Sequence, residues 1–176
     1  MIRVGILTVS DRGHRGEYRD LSGPVIRELV TGRLAATVAV EAIVPDERPV
    51  IATTLVSWAD ELVLDLVLTT GGTGFASRDV TPEATRAVLD REAPGLAEAL
   101  RAVSFAATPL AVLSRAVAGI RGRVLIVNLP GSPRAVEECL PPLLAPLAHG
   151  VDLLQERAIG HPRPDRPLTP PGVAGA

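Results

Sequence analysis

The sequence predicts an α/β protein, a three-layer α/β/α sandwich built on a mostly parallel sheet. Short apolar runs with β-branched residues alternate with stretches at helical spacing along the chain, the pattern of repeated βα units. The first run, from Ile2 to Val9, is apolar at nearly every position, as a strand covered by helices on both faces requires. The polar loops leave the carboxyl ends of the strands. A parallel sheet therefore gathers them along one edge, where ligands of such folds bind.

Val4, Ile6, Leu7 and Val9 make up the first strand. The turn behind it, Ser10-Asp11-Arg12-Gly13-His14-Arg15-Gly16, is polar and ionisable; His14 has no second histidine nearby and reads as a loop residue. Leu21, Val25, Ile26, Leu29 and Val30 form one stripe of a helix from Leu21 to Arg33, with Asp20 placed to cap it. Thr37 to Val44 is the second strand. Asp46 stands just past its end, where it serves either as a ligand group or as a helix N-cap. The next helix, Val50 to Leu62, turns Leu55, Trp58 and Leu62 inward.

The third strand, Asp65-Leu66-Val67-Leu68, runs straight into a Gly-rich turn, Thr69 to Gly74. Gly71, Gly72 and Gly74 let a ligand approach the main chain closely. Thr70 and Thr73 add hydroxyls, and such a turn aims several backbone N–H groups into one concavity that suits an anion. Arg78 and Asp79 follow, then Thr81-Pro82-Glu83 as a helix entry, with Thr81 as N-cap, Pro82 at the first helical position and Glu83 in the first turn.

Helices are expected from Thr81 to Leu89 and from Leu96 to Ala107, with Pro109 ending the second and a short strand at Ala111 to Leu113. Ser114-Arg115 lies behind it, and Val124 to Val127 is a strongly β-branched strand. A second loop, Asn128-Leu129-Pro130-Gly131-Ser132-Pro133, opens a helix with Ser132 as N-cap and Pro133 at the first helical position, a second potential anion site. Val136 to Leu154 contains Pro141, Pro142 and Pro146, so it forms two short helices or one kinked helix. These elements constitute a single domain, 1–157. The stretch from 158 to 176 is rich in Pro and Gly and is expected to be extended or disordered.

Composition removes several functions. A net charge of −2 and an aromatic share of 2% give neither the basic surface nor the stacking platforms of a nucleic-acid binder. All 18 basic side chains are arginine, so a Walker-type phosphate loop and a Schiff-base lysine are both excluded. Cys139 is the lone cysteine, which rules out an internal disulfide or a Cys-based zinc site and is consistent with a reducing cytoplasm. The N-terminus does not read as a signal peptide, and no apolar run is long enough to span a membrane.

The marked loops supply two carboxylates, Asp46 and Asp79, with glycine amides, hydroxyls and arginines. No nucleophile–base pair is evident and no GxSxG elbow occurs. Two carboxylates can share a Mg²⁺ against a polyphosphate, which is most of what nucleotidyl transfer needs. A hydride-transferring dinucleotide enzyme is disfavoured, because its glycines belong in the first βα turn and here they follow the third strand.

TVSDR, VPDE, LTTGGTGFASRDVTPEAT, LSRAVAGIRG and NLPGSP, in this order, resemble the molybdopterin adenylyltransferase family over about residues 1–155. The resemblance implies the molybdopterin-binding fold and transfer of AMP from ATP to the terminal phosphate of molybdopterin, with Mg²⁺ and release of pyrophosphate. It places Asp46 and Asp79 as essential aspartates at the metal and nucleotide phosphates. Thr70, Gly71, Gly72, Thr73 and Gly74 would cradle the nucleotide and pterin phosphate, with Thr81 and Glu83 at the adjoining helix start. Ser114 and Arg115 match a position tied to the pterin; Asn128, Pro130, Gly131 and Ser132 match the second ligand loop; Ser10 and Asp11 flank the pocket. The family also implies a cytoplasmic homotrimer in contact with the molybdate-inserting enzyme. The alternative is a relative that binds molybdopterin without catalysis, against which both aspartates argue.

Overall fold

Six strands build one sheet in this computed structural model, which describes residues 1–157. The Pro- and Gly-rich stretch from 158 lies outside the described residues. The strands are β1 (Ile2–Val9), β2 (Ala36–Val44), β3 (Leu66–Thr70), β4 (Arg91–Glu92), β5 (Ala118–Arg121) and β6 (Val124–Leu129). They lie in the order β2-β1-β3-β6-β5-β4. The first four are mutually parallel, whereas β5 and β4 are antiparallel to their neighbours.

Side chains alternate between the two faces along each strand, and both faces are dry. Val4, Ile6, Leu66, Leu68, Leu125 and Val127 meet α2 (Ser22–Arg33), α5 (Pro94–Ala107), α6 (Pro133–Cys139) and α7 (Leu144–Leu154) through residues such as Ile26, Leu100, Val136 and Leu147. Leu7, Val9, Val67 and Ile126 meet α3 (Arg48–Asp60) and α4 (Thr81–Arg86) through Ile51, Leu55, Trp58 and Ala84. The three-layer arrangement is therefore as the apolar runs require. A short helix, α1 (Asp11–His14), occupies the turn after β1. Among the described residues no helix is long and apolar enough to cross a membrane.

Several local expectations change. Pro109–Leu113 is a 3-10 turn, not a strand; Thr108 caps it, and the proline suits its first turn. The strand in this region is β5, a four-residue AGIR run too short for its periodicity to register. Leu62 is 38% exposed and not inward. Asp46 is not the cap of α3, which begins behind Glu47. Thr81 is already inside α4, behind Val80. The N-cap position of α2 is Leu21; Asp20, one residue earlier, still accepts the first-turn Ser22 and Gly23 N–H groups at 2.9 and 3.1 Å. The proline-rich segment resolves into two helices, α6 and α7, joined by a turn at Pro141–Leu143.

Candidate functional site

The carboxyl ends of β1, β3 and β6 lie side by side, with Thr8 paired to Thr70 and Thr70 to Leu129. Their loops share one edge of the sheet. Ser10 N–H bonds the Val44 carbonyl at 2.9 Å, joining the ends of β1 and β2, while its hydroxyl accepts Gly13 N–H and caps α1. Asp11 and Asp46 then grip each other's backbones. Asp11 N–H donates to Asp46 Oδ2 at 2.7 Å, and Asp46 N–H donates to Asp11 Oδ1 at 3.0 Å. Arg78 reaches back with a two-pronged pair to Asp11, at 2.9 and 2.8 Å.

The two carboxylates have opposite electrostatic fates. Hydrogen bonding from Arg78 holds the Asp11 carboxyl below the usual carboxylate range. Burial pushes the Asp46 carboxyl up, and the charges of Asp11 and Asp79 push it further. The Asp79 charge thus disfavours ionisation of Asp46, an effect that a bound cation would offset.

The glycine turn explains how they converge. Gly71 and Gly72 have φ of +96° and +63°, where side chains are strained. A Cβ on Gly72 would lie 2.4 Å from Thr81 Oγ1 and 3.0 Å from Asp46 Oδ1, and one on Gly74 would lie 2.8 Å from Asp79 Oδ2. Both aspartates therefore close onto one turn because Gly72 and Gly74 carry no side chains there. Thr81 locks the turn, its hydroxyl donating to Gly71 O and its N–H to Gly72 O.

The second loop packs on the first. Thr70 Oγ1 donates to Pro130 O at 2.7 Å, Ser22 Oγ donates to Gly131 O at 2.7 Å, and a Cβ on Gly131 would approach Gly71 Cα to 3.1 Å. Ser132 caps α6. Asn128 is fully buried; its amide donates to Thr69 and Thr85 hydroxyls at 2.9 Å and its carbonyl accepts Val117 N–H. It straps β6 to β3 and α4. Arg115 donates to Gly74 O, Asp79 O and the Glu83 carboxylate.

Two hollows meet at the glycine turn. One, of about 130 Å³, is lined by Ser10, Tyr18, Asp20, Ser22, Gly71 and Gly131. The other, of about 260 Å³ and mainly apolar, is lined by Gly74, Leu100, Leu113, Ser114 and Pro130. Thr70 faces the first and Thr73 the second. The arrangement suits a ligand in two parts joined by an anionic bridge.

Among the described residues no group of three or more His, Cys, Asp or Glu could hold a metal ion. Mg²⁺ is commonly held by one or two carboxylates with substrate phosphates and water. Asp46 and Asp79 fit that role, since both carboxylates stand against the glycine turn.

Sequence reasoning placed Asp46, Asp79, Ser10, Asp11, both loops and Ser114 on this edge. It passed over Arg78, Tyr18, Asp20 and Ser22 as site residues. Arg78 carried a signal, its position beside Asp79 behind the glycines.

Residues 5–149 match the family described as "Probable molybdopterin binding domain". A Helicobacter pylori (strain J99) protein named molybdopterin adenylyltransferase is 45% identical over 154 residues, 87% of this chain and 88% of that protein. The Drosophila melanogaster molybdenum cofactor synthesis protein cinnamon is 46% identical over 153 residues; the match covers 87% of this chain but only 26% of that protein's length. The crystal structure of the molybdopterin biosynthesis enzyme MoaB from Thermus thermophilus superposes with a TM-score of 0.84 at 55% identity, covering 89% of this chain and 98% of that one. With its sheet order, its glycine turn and these matches together, the chain belongs to the molybdopterin-binding domain family.

Proposed function

We propose that this protein is a molybdopterin adenylyltransferase, moving AMP from ATP to the terminal phosphate of molybdopterin and releasing pyrophosphate. The observation that carries this reading is the closure of Asp46 and Asp79 onto one glycine turn; the turn is flanked by the two hollows, while Asp79 itself lines a third, open one with Arg115. The names of the relatives support the same chemistry.

A terminal phosphate oxygen of the pterin forms a bond to the α-phosphorus of ATP, and the bond from that phosphorus to the bridging oxygen of pyrophosphate breaks. The attacking oxygen is already anionic at neutral pH, so no general base is required. Among the described residues, His14 is the one histidine by these loops, and its Nδ1 bonds the Ile43 carbonyl. The backbone N–H groups of the glycine turn orient the phosphates. Asp46 and Asp79 would hold Mg²⁺, which when bound supplies charge neutralisation on the triphosphate. The apolar hollow beside Ser114 suits the flat pterin. The resemblance extends the proposal to a cytoplasmic homotrimer that passes its product to the molybdate-inserting enzyme. Exposed Phe75, Phe105, Leu110 and Val112 are consistent with assembly.

The test is incubation with ATP, Mg²⁺ and molybdopterin, reading pyrophosphate. Release that depends on the pterin is expected. Tight capture of the pterin with no pyrophosphate would replace the enzyme with a binding protein.

A further inference from the structure

We propose that Arg115 is a positioning residue, setting the direction of Asp79 by clamping the turn that carries it and not by meeting the pterin. Every nitrogen of its guanidinium already has a protein acceptor. Nε donates to Gly74 O at 2.7 Å, Nη2 donates to Asp79 O, and Nη1 pairs with Glu83 Oε1. Its own N–H bonds the Thr73 carbonyl at 2.9 Å.

Gly74 and Asp79 are the two ends of a surface turn. Asp79 N–H closes the turn on Ala76 O at 2.9 Å and Arg78 ties its far side to Asp11, while Phe75 near its start is 69% exposed, so the Gly74 end is held chiefly by Arg115. One planar fork that takes both end carbonyls fixes their separation. With the ends fixed, the Asp79 carboxylate folds back to accept Ala76 N–H at 2.9 Å and stands over Gly74. Glu83, in the first turn of α4, orients the fork. Among the described residues, Glu83 Oε2 is the one buried side-chain oxygen with no hydrogen-bond partner. The carboxylate therefore depends on Arg115, and removing the arginine would strand it.

The kinetic consequence rests on the adenylyl-transfer reading, whereas the structural one does not. In the full-length chain, Arg115→Lys keeps the charge but cannot span three acceptors. Amide hydrogen exchange across residues 74–80 is expected to speed up about tenfold or more, because the clamp on the turn is lost. Molybdopterin affinity, measured without ATP, should stay within about twofold, while kcat falls about 10- to 100-fold at unchanged KM, as displacement of a reacting group predicts. Glu83→Gln, a gentler change, should raise exchange over the same residues to a smaller extent. Weakened pterin binding with unchanged exchange would make Arg115 a substrate contact and overturn the proposal. Unchanged exchange in both variants would overturn it as well. If wild-type protein releases no pyrophosphate, the adenylyl reading fails, and the exchange and binding results still decide the role of Arg115.

Discussion

Asp46 shows how one side chain at the proposed site can work against the fold. Burial and the neighbouring charges of Asp11 and Asp79 raise its pKa above the ordinary value. Protonation is thus easier in the folded chain than in the unfolded one, so ionising Asp46 costs folding free energy. The cost is absent below the ordinary carboxylate range and is fully present once pH has risen through the raised value. Asn has nearly the same shape, can still accept Asp11 N–H, and never carries the charge. We expect Asp46→Asn to melt level with the wild type in acid and above it at neutral pH, with the gap opening as pH rises. A gap that closes on raising pH would reverse the assignment. In the same variant AMP transfer should fall about a hundredfold or more, since a charge-stabilising group is removed. At this scale the sequence was informative about placement, putting Asp46 past β2 and Asp79 behind the glycines, both against the turn. It was uninformative about residues whose role is set by distant partners. Asn128 reads as a loop ligand until its amide is seen to bond Thr69 and Thr85, and nothing linear connects Arg115 to Gly74.

The glycine turn is an element whose geometry exceeds what its composition announces. Glycines were expected to admit a ligand, which implies that a larger residue at Gly72 would block entry and spare the fold. The structure revises that. Gly72 has φ of +63°, and a Cβ there would meet the Thr81 hydroxyl at 2.4 Å, the same hydroxyl that fastens Gly71 O. Gly72→Ala is therefore expected to destabilise the protein by about 1–3 kcal/mol, from the left-handed backbone and the lost hydrogen bond, and to abolish phosphate binding at the turn. Thermal or denaturant melts check the first, nucleotide titration the second; wild-type stability would show that the turn relaxes at no cost. Legibility at this scale followed the length of the apolar signal. β1, β3 and β6 lie in the middle of the sheet and announce themselves as continuous runs. β4 is two residues long and β5 is four; β5 adds to the edge of β6, and β4 to the edge of β5. Pro109–Leu113 carries strand-like residues, yet its proline and the Thr108 cap favour a 3-10 turn.

The whole molecule places a stabilising ion-pair network and the proposed site at opposite ends of the same parallel strands. The loops that hold Asp46, Asp79 and the glycines leave the carboxyl ends. At the amino end, Asp65 precedes β3 with only 6% of its surface exposed. Its Oδ2 accepts Arg3 N–H at 2.7 Å, next to the start of β1. Its Oδ1 accepts from Arg157 at 3.0 Å, and Arg157 also pairs with Asp152 on α7. One buried carboxylate thus ties β1 and β3 to the end of the last helix. Arg157→Ala would leave that carboxylate buried with its cationic partner gone. Arg157 is itself 39% exposed along its side chain, so water can reach the gap and soften the loss, to about 1–2 kcal/mol. For a domain of this size that lowers Tm by roughly 2–8 °C. The strands between the two ends are packed on both faces, and among the described residues the hydrogen-bond partners of Asp65, namely Arg3, Arg157 and Leu125, all lie away from the glycine turn. Activity per folded molecule should therefore match the wild type at temperatures well below the transition. A Tm that does not move would show that solvent replaces Arg157 in full; a fall in kcat at low temperature would show that the two ends of the sheet are mechanically coupled.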